Sequence, residues 1–132
     1  MSFTFNTDSS PCAIYTSGEW TVRKWDNGTL ECWCVHNFDL SSHPNSDEMI
    51  QWSSGIQWYY YEYGSLQYPV TFISTPVCTY SQMSVVSGTA WLYTRVAGST
   101  TRTPSVAAGR PTTARVNQIG GNIGFYAIGR WK

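Results

Sequence analysis

Hydrophobic and polar residues alternate over short runs in this sequence, and turn-forming residues separate the runs. The pattern predicts strands at 19–25, 29–37, 89–96, 112–119 and 123–131, and extended pieces at 68–72 and 77–86. The sequence DLSSHPNSDE at 39–48 is predicted to be a polar loop, and no segment has the period and caps of a helix. The chain is therefore predicted to be all-β, with about eight strands.

The clearest local signal is the pair Asn27-Gly28 between the first two runs, which is typical of a two-residue hairpin turn. That turn pairs Lys24 with Glu31 and alternates the side chains between two faces. The predicted core face carries Trp20, Val22, Trp33 and Val35. The second face carries Thr21, Arg23, Trp25, Leu30, Cys32, Cys34 and His36.

Composition supports a folded β-domain. The chain has 132 residues, of which only 12% are charged and 16% are aromatic, and this excludes a disordered segment. One core is sufficient for this length. We expect a single antiparallel β-sandwich domain, jelly-roll-like, over residues 1–132, with 1–17 as a polar and possibly extended lead and 18–132 as the core.

Charge is distributed unevenly. All eight acidic residues lie within 1–66 and six of the eight basic residues lie within 67–132, so the two halves are expected to fold together or to meet across a subunit interface. The basic residues are spread over several predicted strands, which argues against binding to nucleic acid. The chain also shows no signal peptide and no apolar run that could insert into a membrane.

Four cysteines raise the question of a metal. Cys32, Cys34 and His36 share one strand face at alternate positions, yet this triplet matches no structural zinc spacing. Buried thiols beside a hydrogen-bonded histidine are the preferred interpretation, with a metal as the alternative. No cofactor is expected.

Two stretches resemble a known family. The string GEWTVRKWDNGTLECW and the ending AIGRWK, with Pro76, Cys78 and Thr79 between them, resemble C-terminal receptor-binding and tail-fibre domains of phages and prophages of Gram-positive bacteria. The resemblance implies a β-rich knob, commonly a homotrimer, at the tail tip or fibre of a virion that is assembled in the host cytoplasm. It also implies contact with a host surface glycan and with other tail proteins.

The most aromatic segment of the chain is the best candidate for a ligand site. Aromatic rings stack on the apolar faces of sugars, and here they alternate so densely that both faces of a strand would be aromatic. One face can belong to the core, while the other requires a ligand, a second subunit or another sheet. The candidate ligand-binding residues are Trp52, Trp58, Tyr59, Tyr60, Tyr61 and Tyr63, with Asp47 of the neighbouring polar loop.

Three functions follow from these observations. The preferred function is non-enzymatic host adhesion through a bacterial cell-surface carbohydrate. The first alternative is a purely structural tail or assembly protein, in which the aromatic residues are buried between subunits. The second is a glycan-degrading enzyme, which would need two carboxylates across a cleft, drawn from Asp39, Asp47, Glu48 and Glu62.

Overall fold

The computed structural model describes residues 12–38, 50–51, 53–55, 58–85, 91–110 and 121–132. Within these ranges every regular element is a β-strand, and no helix is long and apolar enough to cross a membrane. The strands are β1 (Cys12–Ser17), β2 (Trp20–Trp25), β3 (Thr29–Phe38), β4 (Ile50–Gln51), β5 (Tyr59–Gly64), β6 (Val77–Val85), β7 (Trp91–Val96), β8 (Ser105–Arg110) and β9 (Gly121–Arg130).

The strands form two antiparallel sheets. The five-stranded sheet has the order β1-β2-β3-β9-β6, and the four-stranded sheet has the order β4-β5-β8-β7. Buried side chains from both sheets belong to one hydrophobic cluster, so the inner faces of the sheets enclose the core. The predicted all-β class with antiparallel sheets is confirmed.

The core is aromatic and rich in sulfur. The five-stranded sheet contributes Trp20, Val22, Leu30, Cys32, Cys34, Ile123, Phe125 and Ala127. The four-stranded sheet contributes Val106, and the irregular segment between β5 and β6 contributes Tyr68 and Phe72. The predicted extended piece at 68–72 is therefore not a strand, although its two rings pack edge to face in the core with centroids 5.2 Å apart.

The register of the first hairpin differs by one residue from the prediction. Arg23 pairs with Glu31 and Lys24 with Leu30, which leaves three residues, 26–28, in the turn. A two-residue Asn-Gly turn typically has positive φ angles at both residues, but here only Gly28 has one, at 99°. The turn is closed by the Gly28 amide, which donates to the Trp25 carbonyl at 3.0 Å, and the glycine then provides the left-handed residue of a three-residue loop.

This shift exchanges the two faces of β3. Cys32 and Cys34 lie on the core face with Trp20 and Val22, whereas Trp33 lies on the opposite face and Val35 is exposed there. The predicted core face was therefore correct for β2 and wrong for β3, since one step of register moves every side chain of a strand to the other side.

Residues 12–17, which belong to the predicted polar lead, are part of the five-stranded sheet. They form β1 and pair with β2 along their whole length, from Cys12 opposite Trp25 to Ser17 opposite Trp20. Gly18, with φ 59°, begins the two-residue turn that joins the strands, which is the position where a hairpin favours glycine.

Some of the other predicted elements are confirmed, one lies outside the described residues and one is partly wrong. The runs at 77–86 and 89–96 are confirmed over β6 and β7, whereas residues 86, 89 and 90 lie outside the described ranges. The predicted strand at 112–119 also lies outside them. The predicted turn at 120–122 is wrong for its last two residues, since β9 begins at Gly121.

The residues after β9 pack against the β2–β3 hairpin. The Trp131 amide donates to the Gly28 carbonyl at 2.9 Å, and its indole nitrogen donates to the Trp25 carbonyl at 2.7 Å. Lys24 Nζ lies 4.0 Å from the centroid of the Trp131 ring, which is a cation–π contact. The two stretches that carry the family resemblance are therefore in direct contact with each other.

Candidate functional site

The aromatic segment forms β5, and its alternation divides the predicted ligand residues between two faces. Tyr59, Tyr61 and Tyr63 point inward, where they pack with Ala108 of β8 and Leu92 of β7. Burial raises the pKa of Tyr63, whose ring also lies 5.1 Å from that of Phe38 across the core. These three tyrosines lie on the inner face of the sheet and are half-buried, so they are not part of its outer face.

The outer face of the four-stranded sheet carries an aromatic cluster made by two strands. Trp58 and Tyr60 belong to the predicted set, and Tyr93 of β7 lies between them, with ring centroids 6.4 Å from Trp58 and 6.5 Å from Tyr60. All three side chains are half-buried. We call Trp58, Tyr60 and Tyr93 the aromatic cluster.

The cluster rests on small residues of β8. Gly109 lies beneath Trp58, so closely that a Cβ atom at this position would be 2.4 Å from the indole Cζ2. Ala107, opposite both Glu62 and Tyr93, is fully buried. Because nothing larger fits below the rings, the small side chains of β8 fix how deep the cluster sits on the sheet.

Charged groups border the cluster. The Arg95 guanidinium lies over the Tyr60 ring, with Cζ 4.6 Å from the centroid, and its Nη2 is 3.4 Å from the Tyr60 hydroxyl. On the same face the exposed Glu62 carboxylate accepts a hydrogen bond of 2.5 Å from the Ser105 hydroxyl. Ring faces next to a cation and a carboxylate are the kind of surface that stacks on a sugar and bonds to its hydroxyl groups.

Several predicted residues cannot be placed. Trp52 and Asp47 lie outside the described ranges, as do Asp39 and Glu48 of the enzymatic alternative. Of the four candidate acids, the described part of the chain includes Glu62 alone, with Ser105 as its partner.

The cysteine and histidine triplet does share a face, as predicted from its spacing, but that face points into the core. Burial raises the pKa of the Cys32 and Cys34 thiols to about 12, so both are protonated at neutral pH. His36 Nδ1 lies 2.6 Å from a carboxylate oxygen of Glu19. Among the described residues, no group of three potential ligands is arranged to hold a metal ion.

The opposite side of the molecule contains a polar network that the sequence did not predict, because it depends on the true hairpin register. Glu31 lies on the outer face of the five-stranded sheet and is nonetheless buried. Arg23 donates to both of its oxygens, at 2.6 and 3.0 Å, and the Trp25 indole donates at 2.6 Å. The Tyr126 hydroxyl completes the set with a bond of 2.5 Å.

Four hydrogen bonds from three side chains stabilise the charged form of this carboxylate. The bonds from Arg23 have the largest effect and lower the pKa of Glu31 to about 2, against the opposing effect of burial. A carboxylate with so low a pKa is a weak base near neutral pH, so Glu31 is suited to holding strands together and not to proton transfer.

A trough crosses the same outer face beside this network. Its floor is the row Val35, Gly124 and Ser81, which are paired across β3, β9 and β6. The next row, Trp33 and Tyr126, forms one wall with ring centroids 6.3 Å apart, and Met83 at a bulge of β6 borders the other side. The trough has a volume of about 580 Å³. A Cβ atom at Gly124 would lie 3.3 Å from Met83 and 3.8 Å from the Ser81 hydroxyl, so a larger residue here would narrow the trough.

The fold and these two surfaces define a β-sandwich with an aromatic outer face on each sheet. Among solved structures, the chain is similar to an N-truncated R1-type pyocin tail fiber, with a TM-score of 0.52, 19% sequence identity, and coverage of 90% of this chain and 85% of that chain. At this identity the similarity concerns the fold. No family model matches the chain. No curated protein matches it either.

Proposed function

We propose that this protein is a phage tail-associated receptor-binding domain that binds a bacterial cell-surface carbohydrate and catalyses no reaction. The observation that carries the proposal is the aromatic cluster, in which Trp58, Tyr60 and Tyr93 form one half-exposed surface with Arg95 at its border. The shared fold with a pyocin tail fiber supports a place in a phage-type tail.

The remaining elements of the proposal follow from the family resemblance. The domain is proposed to assemble as a homotrimer at the tail tip or fibre of a virion, next to other tail proteins, after synthesis in the cytoplasm of a Gram-positive host. The domain is proposed to extend over residues 1–132.

The carbohydrate site is tested by binding to cell-wall polysaccharides purified from a panel of Gram-positive bacteria. We expect the double variant Trp58→Ala, Tyr60→Ala to weaken binding by roughly a hundredfold, because stacking on each ring contributes about 1–1.5 kcal/mol. Tyr15→Ala is the matched control, since Tyr15 is an exposed tyrosine on β1 of the other sheet. Equal affinities of the double variant and the wild type would contradict the proposed site.

The structural alternative is favoured by one specific observation, the apolar outer face of the five-stranded sheet. A purely structural tail protein would bind none of the polysaccharides while keeping its self-association. Release of reducing sugar from any polysaccharide in the panel would instead support the enzymatic alternative.

A further inference from the structure

Exposed apolar side chains concentrate on one face of the described structure. Of its nine large exposed hydrophobic residues, six project from the outer face of the five-stranded sheet. They are Ile14, Val35, Val77, Met83, Tyr126 and Ile128. Scattered apolar residues are normal on a protein surface, whereas a contiguous set on one sheet face marks a contact with another molecule.

Charged groups on this face are bonded within the molecule, and Arg130 at its edge donates to the carbonyls of Asn27 and Lys132. Arg23 and Glu31 neutralise each other, and the guanidinium lies between the Trp25 and Trp33 rings, with Cζ 5.2 and 5.4 Å from their centroids. Glu19, at the edge of the trough, has its two carboxylate oxygens 2.6 and 2.8 Å from His36 Nδ1, within hydrogen-bond distance. A charged partner would therefore find few unbonded groups here, and the Arg23–Glu31 pair adds no net charge that would repel an identical face.

The shape of the outer face of the five-stranded sheet is also complementary to the same face of another copy. The ridge of Trp33 and Tyr126 stands directly beside the trough over Gly124, one row of the sheet away. In a threefold assembly with this face towards the axis, the ridge of each copy can enter the trough of the next copy. Sheet faces pack at about 10 Å, which is the distance at which side chains of this size interdigitate.

We infer that the outer face of the five-stranded sheet is the surface through which copies of this chain associate in the proposed trimer. The inference rests on the self-assembly included in the proposed function and identifies the face responsible. It gives the residues of the family resemblance a second role: Trp33 and the neutralised Arg23–Glu31 pair form the contact surface, while Lys24 and Trp131 hold the hairpin behind it.

A pair of matched variants tests this face. Val35 on the proposed interface and Val96 on β7 of the other sheet are similarly exposed, at 53% and 59%. Val35→Asp places a carboxylate in the contact and is expected to weaken association at least roughly tenfold, because the charge loses its hydration without gaining a partner. Val96→Asp is expected to leave the association unchanged. Sedimentation velocity over a range of micromolar concentrations measures both.

Each outcome of this test either supports or contradicts the inference. If Val35→Asp does not fold, as judged by circular dichroism, Met83→Glu takes its place, since Met83 is exposed on the same face. A wild type that stays monomeric would overturn both the inference and the proposed trimer. An oligomer that Val35→Asp and Met83→Glu leave intact would overturn the inference alone. Loss of polysaccharide binding with an unchanged mass would assign the trough to a glycan instead.

Discussion

The outer faces of the two sheets are both aromatic, but their polar groups are used differently. On the five-stranded sheet, the charged groups Arg23 and Glu31 are bonded to each other and to neighbouring rings, and exposed apolar side chains surround them. On the four-stranded sheet, Arg95 and Glu62 are exposed at the border of the aromatic cluster. The comparison teaches that exposed rings alone do not identify a ligand site. What differs between the two faces is the exposure of their charged groups. The Glu31 carboxylate is buried among its donors, whereas Arg95 and Glu62 make their hydrogen bonds as exposed side chains.

The largest expected difference between the faces concerns stability. Glu31→Gln removes the charge on which Arg23, Trp25 and Tyr126 converge, and it leaves at least one donor opposite the amide nitrogen. We expect a loss of about 3–4 kcal/mol in the free energy of unfolding, at the lower end of the range for breaking a buried ion pair because Arg23 is partly exposed. Urea denaturation at neutral pH measures it.

Glu62→Gln is the matched control on the other sheet. Its carboxylate is exposed and has the Ser105 hydroxyl as partner, so we expect a change within about 0.5 kcal/mol. Similar losses for the two variants would show that the two faces do not differ in the way described.

Acid should remove the same stabilisation from the wild type. The pKa of Glu31 is lowered from 4.5 to about 2 in the folded protein, so its contribution is complete above pH 4.5. As the pH falls from 4.5 towards 2, the unfolded chain takes up the proton first and the contribution, about 3 kcal/mol, is lost. The stability difference between the wild type and Glu31→Gln is expected to close over this range. If plots of the unfolding free energy against pH stayed parallel for the wild type and Glu31→Gln from neutral pH to pH 2, this expectation would be contradicted.

A smaller effect is expected from Gly109, which lies under the aromatic cluster. Gly109→Ala puts a methyl group 2.4 Å from the rigid Trp58 ring, which must then leave its place in the aromatic cluster. We expect polysaccharide binding to weaken by roughly tenfold, or about 1.4 kcal/mol. Isothermal titration calorimetry with the best-binding polysaccharide measures this change.

Gly124→Ala is the counterpart on the five-stranded sheet. Its nearest neighbour is the flexible Met83 side chain at 3.3 Å, which can move aside, and the aromatic cluster is on the other sheet. Polysaccharide binding is therefore expected to stay unchanged. If the two glycine variants bound equally well, the positioning of Trp58 would not matter for recognition.

Much of the fold could be predicted from local patterns. Alternation identified β2, β3, β7 and β9, and it divided the aromatic segment correctly into two sets of side chains. The hairpin register was missed because Asn27-Gly28 fits both a two-residue turn and a three-residue loop that also includes Asp26, in which only Gly28 has a positive φ. The pairing of Arg23 with Glu31 was the available clue, yet Lys24 offered an equally plausible partner one residue away.

β8 was missed for a different physical reason. Its residues Val106, Ala107 and Ala108 are all fully buried, because the core covers one face of the strand and the aromatic cluster covers the other. A strand buried on both sides shows no alternation of apolar and polar residues. The same strand joins Tyr60 to Tyr93, so the cluster as a whole depended on a pairing that the sequence did not reveal.

The position of β9 has a consequence for how the chain folds. β9 lies in the middle of the five-stranded sheet, where it pairs with β3 over ten residues and with β6 on its other edge. Its partners in β3 precede it by roughly 80–100 residues, and contacts at such separations carry a high loop-closure entropy and slow folding. During synthesis, the edge of β3 that pairs with β9 therefore stays unpaired until β9 has been made. The contact between Trp131 and the β2–β3 hairpin forms only after nearly all of the described chain has left the ribosome.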